Sequence, residues 1–182
     1  MKTRLLFIIF LLTINTVCFS QNNWNNYSNH DDSFEISIHQ DTKFVFTGDD
    51  LGNHAGTIDI IIKVEIPLIK FSRSHVLIFP SYEYAGLHGG AYRRYSVGVG
   101  YVYKDIYFKN LNAGIFPDIG RIFRFNKIVP SFGLGLEVSY RLTKRFSLSY
   151  LHQILERTDL KLMYNEEDFI RHSSFIGFKI HL

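Results

Sequence analysis

A hydroxyl, an imidazole and a carboxylate held together can cleave an ester: the hydroxyl attacks, the imidazole takes its proton and the carboxylate orients the ring. The histidine best placed for such work is His152, which continues the apolar face formed by Phe146, Leu148 and Tyr150. A histidine on an apolar face that meets lipid is costly unless it lies near an interface or finds a partner. Glu156, Glu167, Ser173 and Ser174 are near it in sequence, but at spacings that assemble no triad. The plain alternative for His152 is an interfacial polar residue near a strand end.

Other groupings point to weaker chemistry. His30 and His39 with Asp31 and Asp32 offer metal-ligand types, yet their spacing matches no standard site. His88, Gly89 and Gly90 read as a loop tip. Arg93, Arg94 and Tyr95 could meet a phosphate, which a guanidinium binds in bidentate fashion, or simply form a solvated rim. Gly98 and Gly100 are no nucleotide loop, because no helix follows to receive the phosphate. No cofactor is expected.

The elements that must position these residues have a period of two. Ile58, Ile60, Ile62, Val64, Ile66 and Leu68 share one face, with Asp59, Lys63 and Glu65 on the other. Such alternation is a strand signal. The same pattern recurs around residues 34–38, continuing through Phe44 and Phe46, and again at 75–86, 94–103, 107–115, 128–142, from 146 onward, and at 171–182. Eight strands result. Connections at 71–74, 104–105 and 143–144 are tight, whereas 47–56, 87–93, 116–126 and 155–168 are long. Short turns at one end and long loops at the other are the asymmetry of an outer-membrane barrel. The expectation is an all-β, eight-stranded antiparallel up-and-down transmembrane β-barrel. Its last strand, with Phe178, Ile180 and Leu182 on the apolar face, would pair with the first.

The N-terminus predicts the compartment. Lys2 and Arg4 precede an uncharged apolar run over residues 5–12, followed by polar and small residues up to Ser20. This is the layout of a cleaved secretory signal, too short to span a bilayer as a helix. Residues 1–20 are read as that signal, 21–32 as a polar leader with Trp24 and Tyr27 as its anchors, and 33–182 as the barrel. Cys18, the one cysteine, leaves with the signal, so disulfides cannot brace the domain. Lys2 and Arg4 leave too, and the 20 basic residues become 18 against 17 acids. A nearly neutral chain gives no sign of a nucleic-acid partner.

Alternation alone also suits a soluble periplasmic barrel of the lipocalin kind. Lipid is favoured on three grounds. Charges opposite branched aliphatics can pair across a narrow lumen. Gly98, Gly100, Gly133 and Gly135 on the polar face relieve crowding inside it. Tyr82, Tyr84, Tyr101, Tyr103 and Tyr140 fall near strand ends, where aromatic girdles belong. An eight-stranded barrel is filled by side chains and leaves no open pore. Glu35, Asp59, Lys63, Glu65, Glu83, Glu137, Arg141 and Lys179 are then its lumen charges, satisfying one another or forming an ion path.

Residues 145–182, through FSLSYLH and the closing SFIGFKIHL, resemble the PagL-type lipid A deacylases, eight-stranded outer-membrane esterases. The resemblance implies a catalytic His and Ser on the outer surface of the next-to-last strand and an acid on the last. His152 matches the histidine. Ile154 stands where the serine is expected, and Arg171 or His172 where the acid is. The sequence thus predicts an outer-membrane protein with a structural or surface-interaction role. The alternatives are a deacylase-like esterase or its inactive relative, and the soluble binding barrel. Its partners would be outer-membrane lipid and lipopolysaccharide, with a further one at the extracellular loops, and it would be a monomer.

Overall fold

The computed structural model describes residues 34–49, 52–164, 167 and 169–182. The predicted signal and leader, with Trp24, Tyr27, His30, Asp31 and Asp32, lie outside the described residues. Eight antiparallel strands run β1 (Glu35–Asp41), β2 (Asp59–Lys70), β3 (Ser74–Ala85), β4 (Tyr92–Tyr103), β5 (Leu111–Arg124), β6 (Lys127–Arg141), β7 (Phe146–Glu156) and β8 (Ile170–His181). Each pairs with its neighbour in sequence, and β8 closes onto β1. The closing register sets Ile36 opposite Ile180 and Ile38 opposite Phe178, so the terminal alternation is the seam of the barrel.

Pleating separates the two faces. Ile60, Ile62, Val64, Ile66 and Leu68 of β2 point outward, while Asp59, Ile61, Lys63 and Glu65 are buried inside. The other strands follow suit, and the outer wall is apolar around a largely polar interior. That inversion of the usual globular arrangement is what a bilayer selects. Two aromatic belts ring the wall. Tyr95 contacts Tyr82 and Phe123 toward one end, and Phe108 contacts Tyr140 toward the other.

The interior is full. Leu77, Phe79, Val102 and Phe116 form an apolar plug. A Cβ at Gly100 would stand 2.7 Å from Phe116 and 2.8 Å from Leu77, and one at Gly133 2.7 Å from the Asp118 carboxylate. These positions are glycine because the facing side chains occupy the space. A mid-lumen cavity of about 20 Å³ remains. A water needs roughly 10–15 Å³ of such volume, so this cavity has room for about one.

Three connections differ from the sequence expectation. Residues 116–126, expected as a long loop, are mostly strand: β5 runs to Arg124, and only Phe125 and Asn126 turn the chain into β6. Both have positive φ, 46° and 60°, the geometry of a type I′ hairpin. Pro117, Pro130 and Gly120 had obscured the alternation. The tight turn expected at 104–105 is a seven-residue link, folded on itself by the Asn110 N–H donating to Asp105 Oδ1 at 2.6 Å. Phe44 and Phe46 do not extend β1. Asp41 Oδ1 accepts the N–H groups of Lys43 and Phe44 at 2.7 and 3.3 Å and starts a short helix, α1 (Thr42–Phe46). Such capping is what an aspartate at this position favours. A second helix, α2 (Thr158–Tyr164), lies in the connection from β7 to β8.

Overpacking a filled core typically costs about 1–3 kcal/mol. Gly100→Val should therefore lower the urea midpoint of barrel unfolding, whereas the outward Val99→Ile should leave it nearly unchanged. Gel migration with and without heating reads both.

Candidate functional site

All eight charges predicted for the lumen face inward. Toward the end bearing the three inter-strand links 71–73, 104–110 and 142–145, two ammonium groups meet three carboxylates. Lys63 Nζ lies 2.6 Å from Glu137 and 2.9 Å from Glu65. Lys179 Nζ lies 2.6 Å from Glu137, 2.7 Å from Glu65 and 3.5 Å from Glu35. His181 continues the chain, with Nδ1 3.0 Å from Glu35 and 3.3 Å from Arg141, and Nε2 2.6 Å from the Ser147 hydroxyl. Lys63 also sits 3.6 Å above the Phe116 ring. His39, fully buried, shares a hydrogen bond of 2.8 Å with Ser149. Lys63, Lys179, Glu35, Glu65 and Glu137 are each met by an opposite charge.

Above the apolar plug stands a second group. Arg94 pairs with Asp118, donates from Nε to the Ser131 hydroxyl at 2.8 Å and lies 4.0 Å from Glu83. Glu83 also accepts from the Tyr92 hydroxyl and from Gln153 at 3.2 Å. This corrects the sequence reading of Arg93, Arg94 and Tyr95 as one outer rim. Arg94 is 1% exposed, and only Arg93 and Tyr95 face outward. Adjacent residues of a strand point to opposite faces, which divides the trio.

The loop end is closed by a group that sequence reading missed. Arg157 donates from Nε and a terminal nitrogen to both oxygens of Asp159, each at 2.8 Å. Arg124 donates to the same carboxylate at 3.2 Å and to the Gly89 carbonyl at 2.8 Å. One buried aspartate of α2 thus ties together β5, the β3–β4 loop and the β7–β8 loop. Burial pushes the Asp159 carboxyl upward, but the Arg157 and Arg124 guanidinium groups outweigh it and hold it below the usual carboxylate range. Nothing in the spacing of Arg124, Arg157 and Asp159 marks them, since their meeting depends on loops folding across the mouth. Beneath lies a cavity of about 1000 Å³, whose walls include Phe44, Asp59, Tyr92, Leu155 and Arg157. His88 is in the β3–β4 loop, its N–H donating to Asn53 Oδ1 at 2.5 Å. Among the described residues no cluster of His, Cys, Asp and Glu could hold a metal.

His152 is on the outer wall, half-buried, and register brings it a hydroxyl that linear spacing hid. It stands directly opposite Ser174 of β8, and its Nδ1 lies 3.1 Å from the Ser174 Oγ. The same Oγ shares a hydrogen bond of 2.9 Å with the Tyr150 hydroxyl, and the His172 ring lies 5.7 Å from that of His152. Ile154 pairs with His172, and Glu156, on the same face, pairs with Ile170, two rungs toward the loops. The imidazole could accept a proton from Ser174. Among the described residues, however, no carboxylate bonds to His152 to orient it.

No family model matches this chain, and no curated protein does. Among solved structures it is similar to the Yersinia pestis outer membrane protein Ail in a phospholipid bilayer nanodisc, with 13% identity over 82% of this chain and 98% of that one, at a TM-score of 0.51. Neisserial surface protein A, at 10% identity and a TM-score of 0.47, covers 82% of this chain and 97% of its own. At such identities the likeness to Ail is one of fold.

The depressed Asp159 carboxyl stabilises the closed mouth above the ordinary aspartate pKa of about 3.9, and that stability is lost as pH falls through the lower, folded-state value. Proteolytic nicking of residues 157–169 should therefore increase on acidification below about pH 4. Asp159→Asn should show the increase already at neutral pH.

Proposed function

We propose that this chain is an outer-membrane β-barrel without an open pore, serving envelope structure or surface interaction through its loop end. The observation that carries this reading is the inverted polarity of the wall: branched aliphatics and aromatics outside, paired charges and glycines within. A lipocalin-like barrel needs the opposite arrangement, an apolar cavity and a wetted exterior. The predicted export signal supports the compartment, as does the shared fold with Ail, an outer membrane protein set in a phospholipid bilayer. Closure of β8 onto β1 uses up every sheet edge, which favours a monomer.

The loop end supplies the interacting surface. The Arg124–Asp159–Arg157 junction holds the β3–β4 and β7–β8 loops in one arrangement, and α1 lines part of the cavity beneath. Arg93 and Arg121 project from the outer face of neighbouring strands near that end, at a height where lipopolysaccharide phosphates would meet them. A second reading, a lipid A deacylase-like esterase or its inactive relative, is favoured by one observation, the hydrogen bond between His152 and Ser174 on the lipid-facing wall.

Cysteines introduced one at a time at Ile60 and Ile61 test the membrane reading. In intact membranes Ile60→Cys should react with a lipid-soluble maleimide and Ile61→Cys with neither that reagent nor an aqueous one. Ready labelling of Ile60→Cys from water would overturn it. For the esterase, His152→Ala and Ser174→Ala should each abolish fatty-acid release from lipid A in bilayers. Absence of release by the unaltered protein sinks the active esterase and leaves only its inactive relative, without touching the membrane reading.

A further inference from the structure

The links at the end opposite the loops are predominantly basic. Its three links and their flanks hold Lys70, Arg73, Lys104, Lys109, Lys144 and Arg145, against one acid, Asp105. Asp105 is engaged within its own link by the Asn110 N–H. All six cations except Lys104 are exposed.

These cations form a rim and not a set of independent tips. The Lys104 N–H donates to the Arg73 carbonyl at 2.8 Å, the Arg141 N–H to the Asn110 carbonyl at 3.0 Å, and the His181 N–H to the Arg145 carbonyl at 2.9 Å. Backbone bonds therefore tie the first link to the second, the second to the end of β6 beside the third, and the third to the end of β8. Between the charges stand exposed apolar side chains: Phe71, Phe108, Phe146 and above all Tyr107, 88% exposed. Bare aromatics interleaved with Lys and Arg suit the boundary between hydrocarbon and headgroups, where the ring is half immersed and the cation reaches phosphate. At the loop end the signs are mixed, with Arg124 and Arg157 sharing Asp159.

We propose that this rim binds the headgroups of anionic phospholipids in the leaflet it faces, with the Lys and Arg side chains on phosphate oxygens and Phe71, Tyr107 and Phe108 at the acyl boundary. The inference rests on reading the chain as a membrane barrel. Six cations with one acid between them discriminate by net charge: a zwitterionic lipid carries its own ammonium beside the phosphate, whereas an anionic one leaves its charge for the protein.

The processed chain, reconstituted in phosphatidylcholine bilayers, is probed with spin-labelled phosphatidylglycerol and, separately, spin-labelled phosphatidylcholine. The motionally restricted fraction of each reports association with the wall. We expect phosphatidylglycerol to be preferred about fivefold or more at low salt, the effect of roughly one favourably placed cation. The preference should shrink as salt screens the surface. It should vanish when all six are replaced (Lys70→Gln, Arg73→Gln, Lys104→Gln, Lys109→Gln, Lys144→Gln, Arg145→Gln), with folding verified by heat-modifiable migration. Should that variant fail to fold, Arg73→Gln with Arg145→Gln must reduce the preference. Equal restriction of both lipids by the unaltered protein overturns the proposal, as does a preference that survives the substitutions. Retention on peptidoglycan without lipid preference overturns it in favour of a cell-wall partner. Absence of any restricted component, with either lipid, overturns the membrane reading itself.

Discussion

Closure of β8 onto β1 is the constraint from which the rest of this molecule follows. Hydrocarbon offers no partner to a backbone N–H or carbonyl, so a sheet that meets lipid must return to its first strand and leave no edge. Closing after eight strands fixes a circumference so small that inward side chains from opposite walls touch. Inward positions there are then small, mutually apolar, hydrogen-bonded or charge-matched. Gly98, Gly100 and Gly133 are the small ones, Leu77, Phe79 and Phe116 the apolar ones, and Lys63, Lys179, Glu65 and Glu137 the matched ones. Taking one partner from such a buried set typically costs about 3–5 kcal/mol, because the charges left behind have no water to turn to.

Much of this was legible because pleating has a period of two and lipid imposes a single polarity on every outward residue. Strand β2 shows it most plainly: aliphatics hold its outer face and Asp59, Lys63 and Glu65 its inner one, broken only by the inward Ile61 and Pro67, and both faces came out as the sequence implied. All eight lumen charges followed from parity alone. The reading weakened where parity was masked. Prolines and glycines in β5 and β6 hid strand behind apparent loop, and Asp41 turned an alternating pattern into a helical cap.

What stayed hidden shares one cause: it is set by which residue faces which across strands, a quantity absent from linear spacing. Ser174 lies 22 positions after His152 and within hydrogen-bond distance of it, because the β7–β8 register happens to place them on one rung. Arg94 reads as a member of a basic run; parity sends it inward, but only the facing of strands shows that it meets Asp118 there. The Asp159 junction depends further on loops crossing the mouth, where no periodicity exists to read.

The lumen charges carry a meaning for the chain before it is a barrel. Lys179 comes from β8, Lys63 and Glu65 from β2, Glu137 from β6 and Glu35 from β1. These strands meet around one point only when the seam shuts, so an open sheet would leave these five charges without their full set of partners. In water that lack is harmless, and the charges keep an unfolded, aromatic-rich chain dispersed. Within hydrocarbon it is prohibitive. The same side chains that lock the finished wall thus act during biogenesis as solubilising groups, and they bind insertion and closure into a single event, because no half-closed sheet can reside comfortably in the bilayer.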